Sequence, residues 1–156
     1  MTQFTHLDSG GAARMVDVSD KEPTTRTAIA SGVLRTTDEV VALLARDGLP
    51  KGDALATARI AGIMAAKRTW ELVPLCHPIS LSGVKVGLEL GEREVRITAT
   101  VRTTDRTGVE MEALTAVSVA GLTLHDMVKA IDPAASLDAV RVERKEGGKT
   151  GLWVRP

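Results

Sequence analysis

Apolar positions recur with different periods along this chain, and each period predicts a different element. Between Ala113 and Leu124 nearly every residue is apolar, small or a hydroxyl. A helix over 108–132 would therefore be apolar on most of its circumference and has to lie in a core. Residues 81–90 alternate instead, with Val84, Val86, Leu88 and Leu90 on one face, and residues 94–103 do the same through Val95, Ile97, Ala99 and Val101. Gly91-Glu92-Arg93 joins these two strands in a tight hairpin.

The remaining elements follow from start and stop signals. Residues 26–35 read as a strand. Thr36-Thr37-Asp38-Glu39 spells a capping box ahead of an apolar stripe of Val40, Val41, Leu43 and Leu44, and Gly48-Leu49-Pro50 stops that helix. Asp53 caps a second helix, rich in alanine and glycine, which is expected to run to about Leu72 before Val73-Pro74 ends it. Beyond the central helix, Asp132-Pro133 breaks the chain. Leu137 to Arg144 alternates again, and a short run, Leu152-Trp153-Val154, closes the sequence.

Strand, two helices, hairpin, long helix, strand is the order of a split βαβ unit, hence an α+β fold with an antiparallel sheet and its helices on one face. Residues 25–156 are expected to form a single domain of this kind. Residues 1–24 are polar and glycine-rich, an arm expected to be flexible until it orders against another surface. The second sheet face and the small-residue sides of the helices would remain uncovered, which predicts a homo-oligomer.

Composition narrows the function classes. No Tyr, one Phe and two Trp among 156 residues leave an aliphatic core. Twenty basic and twenty acidic residues cancel, so neither nucleic acid nor an anionic membrane is an expected partner. A single Cys and three His exclude an intrachain disulfide and leave no plausible zinc framework. The N-terminus lacks a basic-then-apolar leader, and no uncharged stretch approaches membrane-spanning length, so a cytoplasmic protein is expected.

Candidate chemistry sits at the two ends of the central helix and on one loop. Glu110 and Glu112 open the helix, where acids suit its dipole; spaced by two, they are expected to point to different sides of the axis. Asp126 stands near the end that disfavours it, three residues before Lys129, so the two head groups can meet. Cys76 and His77 lie in a loop stiffened by Pro74 and Pro78. His77 is a candidate general acid or base, and Cys76 reads as pocket wall rather than nucleophile. Arg26, Lys51, Lys67, Arg68, Lys145 and Lys149 are the basic candidates, Lys51 standing just before a helix N-terminus suited to an anion. Gly148-Lys149-Thr150 is not a P-loop, because Glu143 replaces the required first glycine and no helix follows. Glu112 and Asp126 are fourteen residues apart, roughly 21 Å along a helix. Both can serve one small ligand only where two subunits meet.

Several motifs in order, Met15-Val-Asp-Val-Ser19, Lys51-Gly-Asp53, Ala56-Thr-Ala-Arg-Ile-Ala-Gly62, Ala65-Ala-Lys-Arg-Thr69, Pro74-Leu-Cys-His-Pro78, Thr107-Gly-Val-Glu-Met-Glu-Ala-Leu-Thr-Ala116 and Gly147-Gly-Lys149, closely resemble the molybdenum cofactor biosynthesis protein C family, the cyclic pyranopterin monophosphate synthases. The resemblance runs nearly end to end. It implies a ferredoxin-like α+β subunit assembled as a homohexamer, a trimer of dimers, with active sites at subunit interfaces. It further implies conversion of 3′,8-cyclo-7,8-dihydro-GTP to cyclic pyranopterin monophosphate and diphosphate; no cofactor and no metal-ligating residues are expected, and whether magnesium accompanies the triphosphate is left open by the sequence. Carried over by motif, Asp126 resembles the catalytic acid or base with Lys129 as its partner. His77, Lys51 and Glu112 join them in catalysis, and Leu75, Cys76, His77, Glu110, Met111 and Glu112 look like substrate contacts. Arg26, Lys67 and Lys145 or Lys149 would hold phosphates or assist proton transfer, and Asp17 would complete the pocket as the arm orders. The Leu7-Asp-Ser-Gly-Gly11 start departs from the family's usual Asn-Thr-Gly-Glu-like one. A non-catalytic nucleotide-binding regulatory oligomer is the competing class. It would need the lysines but not an Asp126–Lys129 proton couple.

Overall fold

The computed structural model describes residues 4–46, 48, 49 and 53–156. Strand β1, Thr24–Arg35, is the centre of the molecule. It is flanked by the antiparallel strands β3, Glu94–Asp105, and β4, Ser136–Glu146, while β2, Gly83–Gly91, pairs with β3 and the two-residue β5, Trp153–Val154, pairs with β4. The sheet order β2-β3-β1-β4-β5 puts β3 between β1 and β2, which is the arrangement the predicted split βαβ unit requires. The fold is thus α+β, with a five-stranded antiparallel sheet.

Alternation decides which sheet face is covered. Ala28, Ala30 and Leu34 of β1 and Val95, Ile97, Ala99 and Val101 of β3 are buried, whereas the intervening Thr27, Ile29, Ser31 and Val33 are half-buried. The predicted central helix is α4, Glu110–Val128, and it lies on the buried face. Small residues let α2, Ala54–Lys67, approach it closely: a methyl group added at Gly62 would come within 2.9 Å of the Ala116 carbonyl oxygen. Most of one side of α4 is sealed through Ala113, Ala116, Val117, Ala120, Gly121 and Leu124. Its outer side is not, and Leu122 is 67% exposed. The expectation of a helix enclosed all round therefore holds within one chain on one side only.

Two boundaries differ from expectation, each for a local reason. The helix-capping residue of α1, Asp38–Ala45, is Thr37, which accepts from the Val40 amide. Thr36 does not cap; its hydroxyl donates to the Asp132 carboxylate at 2.8 Å, both groups being buried. A tertiary hydrogen bond has taken one half of the predicted capping box. The helix from Asp53 does not run unbroken to Leu72 either: α2 closes at Arg68, and a single turn, α3, follows over Thr69–Leu72. Buried Thr69 turns its hydroxyl back to the Ala65 and Ala66 carbonyls, which satisfies the end of α2 and permits the break. Asp53 caps α2 as predicted, through the Ala56 amide at 3.0 Å. No helix among the described residues is long and apolar enough to cross a membrane.

Candidate active site at the N-terminal end of the central helix

The loop after α3 is short and stiff, and the Cys76 amide closes its turn on the Val73 carbonyl at 3.1 Å. It brings Leu75, Cys76 and His77 to the first turn of α4. Together with Glu110, Met111 and Glu112 they line a cavity of about 300 Å³, whose remaining walls are Thr107, Gly108 and five residues of the N-terminal arm. Six of the sequence-derived candidates thus meet in one place. Glu110 and Glu112 both line this cavity, although their spacing predicts different directions, and the Glu110 carboxylate also reaches Lys145. They occupy the opening turn, where the chain enters the helix from β3, so both flank the same gap.

The arm supplies the lid of the cavity. Val16 and Val18 are half-buried and line the cavity while Asp17 between them is exposed. The Asp17 carboxylate accepts from the Ser19 hydroxyl and amide at 2.7 and 2.9 Å, and these bonds hold its pKa below the usual carboxylate value, with a smaller contribution from nearby His77. The Val16 carbonyl meets the His77 ring at Nε2, 2.6 Å away, and Arg106 Nε donates to the Lys21 carbonyl at 2.9 Å. Thr5, His6, Val16, Val18 and Lys21 were not candidates on sequence, since they lie more than fifty residues from the loop they cover. The motif Met15-Val-Asp-Val-Ser19 marked the segment without indicating which of its atoms face inward.

Cations gather on the other side of Glu110. Lys145 of β4 pairs with the Glu110 carboxylate at 3.2 Å. A niche beside that pair is lined by Arg26, Thr27, Gly108, Lys145, Glu146, Gly147 and Thr150, and it shares Gly108 and Glu110 with the His77 cavity. Arg26 donates to the Asp105 and Arg106 carbonyls, which fixes its guanidinium against Gly148. Lys149 and Lys21 border a neighbouring depression that also includes Arg26. Lys67 is exposed at the end of α2, outside these walls. Lys51 lies outside the described residues. Among the described residues, no group of three or more His, Cys, Asp or Glu is arranged to hold a metal ion.

The far end of α4 carries the remaining pair. Lys129 Nζ stands 2.8 Å from Asp126 Oδ1, with both side chains about half exposed. Neither residue lines the His77 cavity. Continuous helix from Glu110 to Val128 separates the two ends, so Glu112 and Asp126 are roughly 21 Å apart along its axis.

A family model described as the MoaC family matches residues 15–148. The chain belongs to the MoaC family. It is 66% identical over 153 residues to a cyclic pyranopterin monophosphate synthase of Streptomyces coelicolor, covering 98% of this chain and 90% of that protein. It is 63% identical over 153 residues to cyclic pyranopterin monophosphate synthase 2 of Mycobacterium bovis, at 98% and 92% coverage. A third relative, the cyclic pyranopterin monophosphate synthase of Roseiflexus sp., is 56% identical over 156 residues, with 99% of each chain covered.

In this MoaC-family chain the electrostatics of the cavity are set by burial. Glu112 is 4% exposed, and its Oε2 has no hydrogen-bond partner among the described residues. Burial pushes its pKa from 4.5 up to about 7; its own backbone amide draws it part of the way back, and the adjacent Glu110 carboxylate adds repulsion. The same burial, helped by Glu112, raises the Cys76 pKa and keeps a thiol rather than a thiolate in the wall. Folded, Glu112 binds its proton more tightly than unfolded, so its contribution to stability is complete below pH 4.5, falls as pH rises and is gone above about 7. A shift of this size is worth roughly 3 kcal/mol. Glu112→Gln should therefore gain stability over the parent as pH is raised from 5 to 8, read as urea midpoints of the two proteins. Parallel curves would show that this carboxyl ionises normally.

Proposed function

We propose that this MoaC-family chain is a cyclic pyranopterin monophosphate synthase of molybdenum cofactor biosynthesis. It converts 3′,8-cyclo-7,8-dihydro-GTP to cyclic pyranopterin monophosphate and diphosphate. The observation that carries this reading is the shared wall of two unlike spaces. A cavity holding His77 and a carboxyl with pKa near 7 abuts a niche holding Arg26 and Lys145, and Gly108 and Glu110 belong to both.

The reaction needs both halves. Opening and rebuilding the guanine-derived ring moves protons at its nitrogens and carbons, which requires acids and bases that titrate near neutrality. Attack of a ribose-derived hydroxyl on the first phosphate forms one P–O bond and breaks another, and the departing diphosphate carries off negative charge. Arg26, Lys145 and Lys149, with Lys51, stabilise that charge and the triphosphate before it leaves. His77 and Glu112 exchange protons with the ring. Leu75, Cys76, Met111 and Glu110 shape the wall, Lys67 assists from the end of α2, and Asp17 stands outside the cavity within electrostatic reach of His77.

Asp126 and Lys129 enter from a second copy of the chain, because the length of α4 keeps them away from their own Glu112. This makes the working unit a ferredoxin-like subunit within a homohexamer, a trimer of dimers, acting in the cytoplasm. The uncovered apolar side chains Ile60, Met64 and Leu122 give such an assembly surface to bury. Incubating the purified protein with the cyclised nucleotide tests the reading. Diphosphate and an oxidisable fluorescent pterin are expected as products; nucleotide binding without diphosphate release would make the chain a sensor instead.

A further inference from the structure

Among the described residues, one short polar contact joins the arm to the site, between a ring nitrogen and a backbone carbonyl. A carbonyl oxygen can only accept, so at 2.6 Å from Val16 the His77 Nε2 must carry a hydrogen. In a neutral imidazole only one nitrogen is protonated, which leaves Nδ1 with its lone pair. Among the described residues Nδ1 has no hydrogen-bond partner, and His77 lines the cavity that also holds Cys76 and Glu112. The contact has a second property. An imidazolium is a donor at both nitrogens, so the bond to Val16 persists whether or not Nδ1 is protonated.

We propose that the N-terminal arm is a positioning element of the active site: the Val16 carbonyl locks His77 in its Nε2–H form and so assigns Nδ1 as the nitrogen that takes and returns protons in the cavity, with the arm staying closed throughout. This rests on the functional reading above for the identity of the proton donor, but not for the lock itself. Val16 and Val18 half-bury themselves in the cavity wall beside the ring, and the Arg106 bond to Lys21 anchors the other end of the strap. A closed arm also keeps bulk water from a carboxyl whose protonation depends on burial. Asp17 lies outside the strap, within electrostatic reach of the ring.

The test uses the full chain with ¹⁵N-labelled histidine, and two side chains that each keep half of the ring. Gln places its amide near the Nε2 position and can still donate to Val16; Asn keeps only a group near Nδ1 and falls short of the arm. At a pH where the ring is neutral, ¹⁵N–¹H correlation spectra should show His77 as the Nε2–H form. His77→Gln should keep the parental resistance of Arg14 and Lys21 to trypsin while kcat for diphosphate release falls by about 10²- to 10⁴-fold at little cost in KM. His77→Asn should lose both kcat and the resistance. An Nδ1–H ring, a parental kcat in His77→Gln, or parental trypsin resistance in His77→Asn would each overturn the proposal. The spectra and the proteolysis need no turnover, so they decide the lock even where the parent protein fails the diphosphate assay.

Discussion

Lys129→Ala and Asp126→Ala are expected to lower diphosphate release by about 10²- to 10⁴-fold, the range for losing a positioned proton-transfer group, while the cyclised nucleotide still binds. Losing the Lys129 side chain should hardly disturb the fold. Lys129 is about half exposed and meets Asp126 at 2.8 Å on one helix face, and such a pair contributes roughly 0.3–0.5 kcal/mol. For a chain of this size the thermal midpoint of Lys129→Ala should move by no more than about 2 °C. Unchanged release would remove the pair from the mechanism.

The same substitutions test where the site lies. If Asp126 of one copy works with Glu112 of another, an Asp126→Ala chain and a Glu112→Ala chain fail in different halves of the site. In oligomers assembled from an equal mixture, about a quarter of the sites should draw both halves from intact ends and recover activity. No recovery after verified mixing would place both ends of α4 in separate roles. The separation that calls for a second copy comes from the unbroken helix from Glu110 to Val128 and its rise per residue.

Gly147→Ala is expected to be the most damaging small substitution for stability. Its φ is +94°, a region that costs an L-residue roughly 1–2 kcal/mol. A methyl group there would also run into the Thr25 carbonyl oxygen and lie 3.0 Å from the Arg26 Cα. Both are backbone atoms of the central strand and cannot swing aside, so overpacking adds about 1–3 kcal/mol. A total near 3 kcal/mol corresponds to a fall of roughly 6–12 °C in Tm. Gly151→Ala is the control. Its φ is +66° but nothing lies within 4 Å of the added methyl, so it should lose only the conformational part. Equal losses in the two melts would show that the approach of Gly147 to β1 is not felt. Because Gly147 lies in the wall of the Arg26 and Lys145 niche, Gly147→Ala should also weaken nucleotide binding.

The elements that came through from sequence are those whose signal is local. Alternation through Val95, Ile97, Ala99 and Val101 depends only on neighbours two residues apart, and all four are buried on one face of β3. Asp53 could be recognised as a cap because the amide it accepts from is three residues away. Thr36 could not, since its partner Asp132 lies ninety-six residues on. The break at Arg68 escaped for a similar reason. Thr69 reads as an ordinary helix residue until its burial and its bonds to Ala65 and Ala66 are known.

At the site the division is the same. The residue types that surround the cavity, His77 between two prolines and two acids opening a helix, were visible in the chain, as were the unbroken length of α4 and the separation of its two ends that follows from it. Folding alone decided that Glu110 and Glu112 line one gap, that burial lifts the Glu112 pKa to about 7, and that the carbonyl of Val16 closes on His77. Periodicity records how a segment relates to itself, through bonds a few residues long. Burial, proton affinity and the choice of a ring nitrogen depend on groups brought together across the chain, and those meet only once the sheet and its helices have packed.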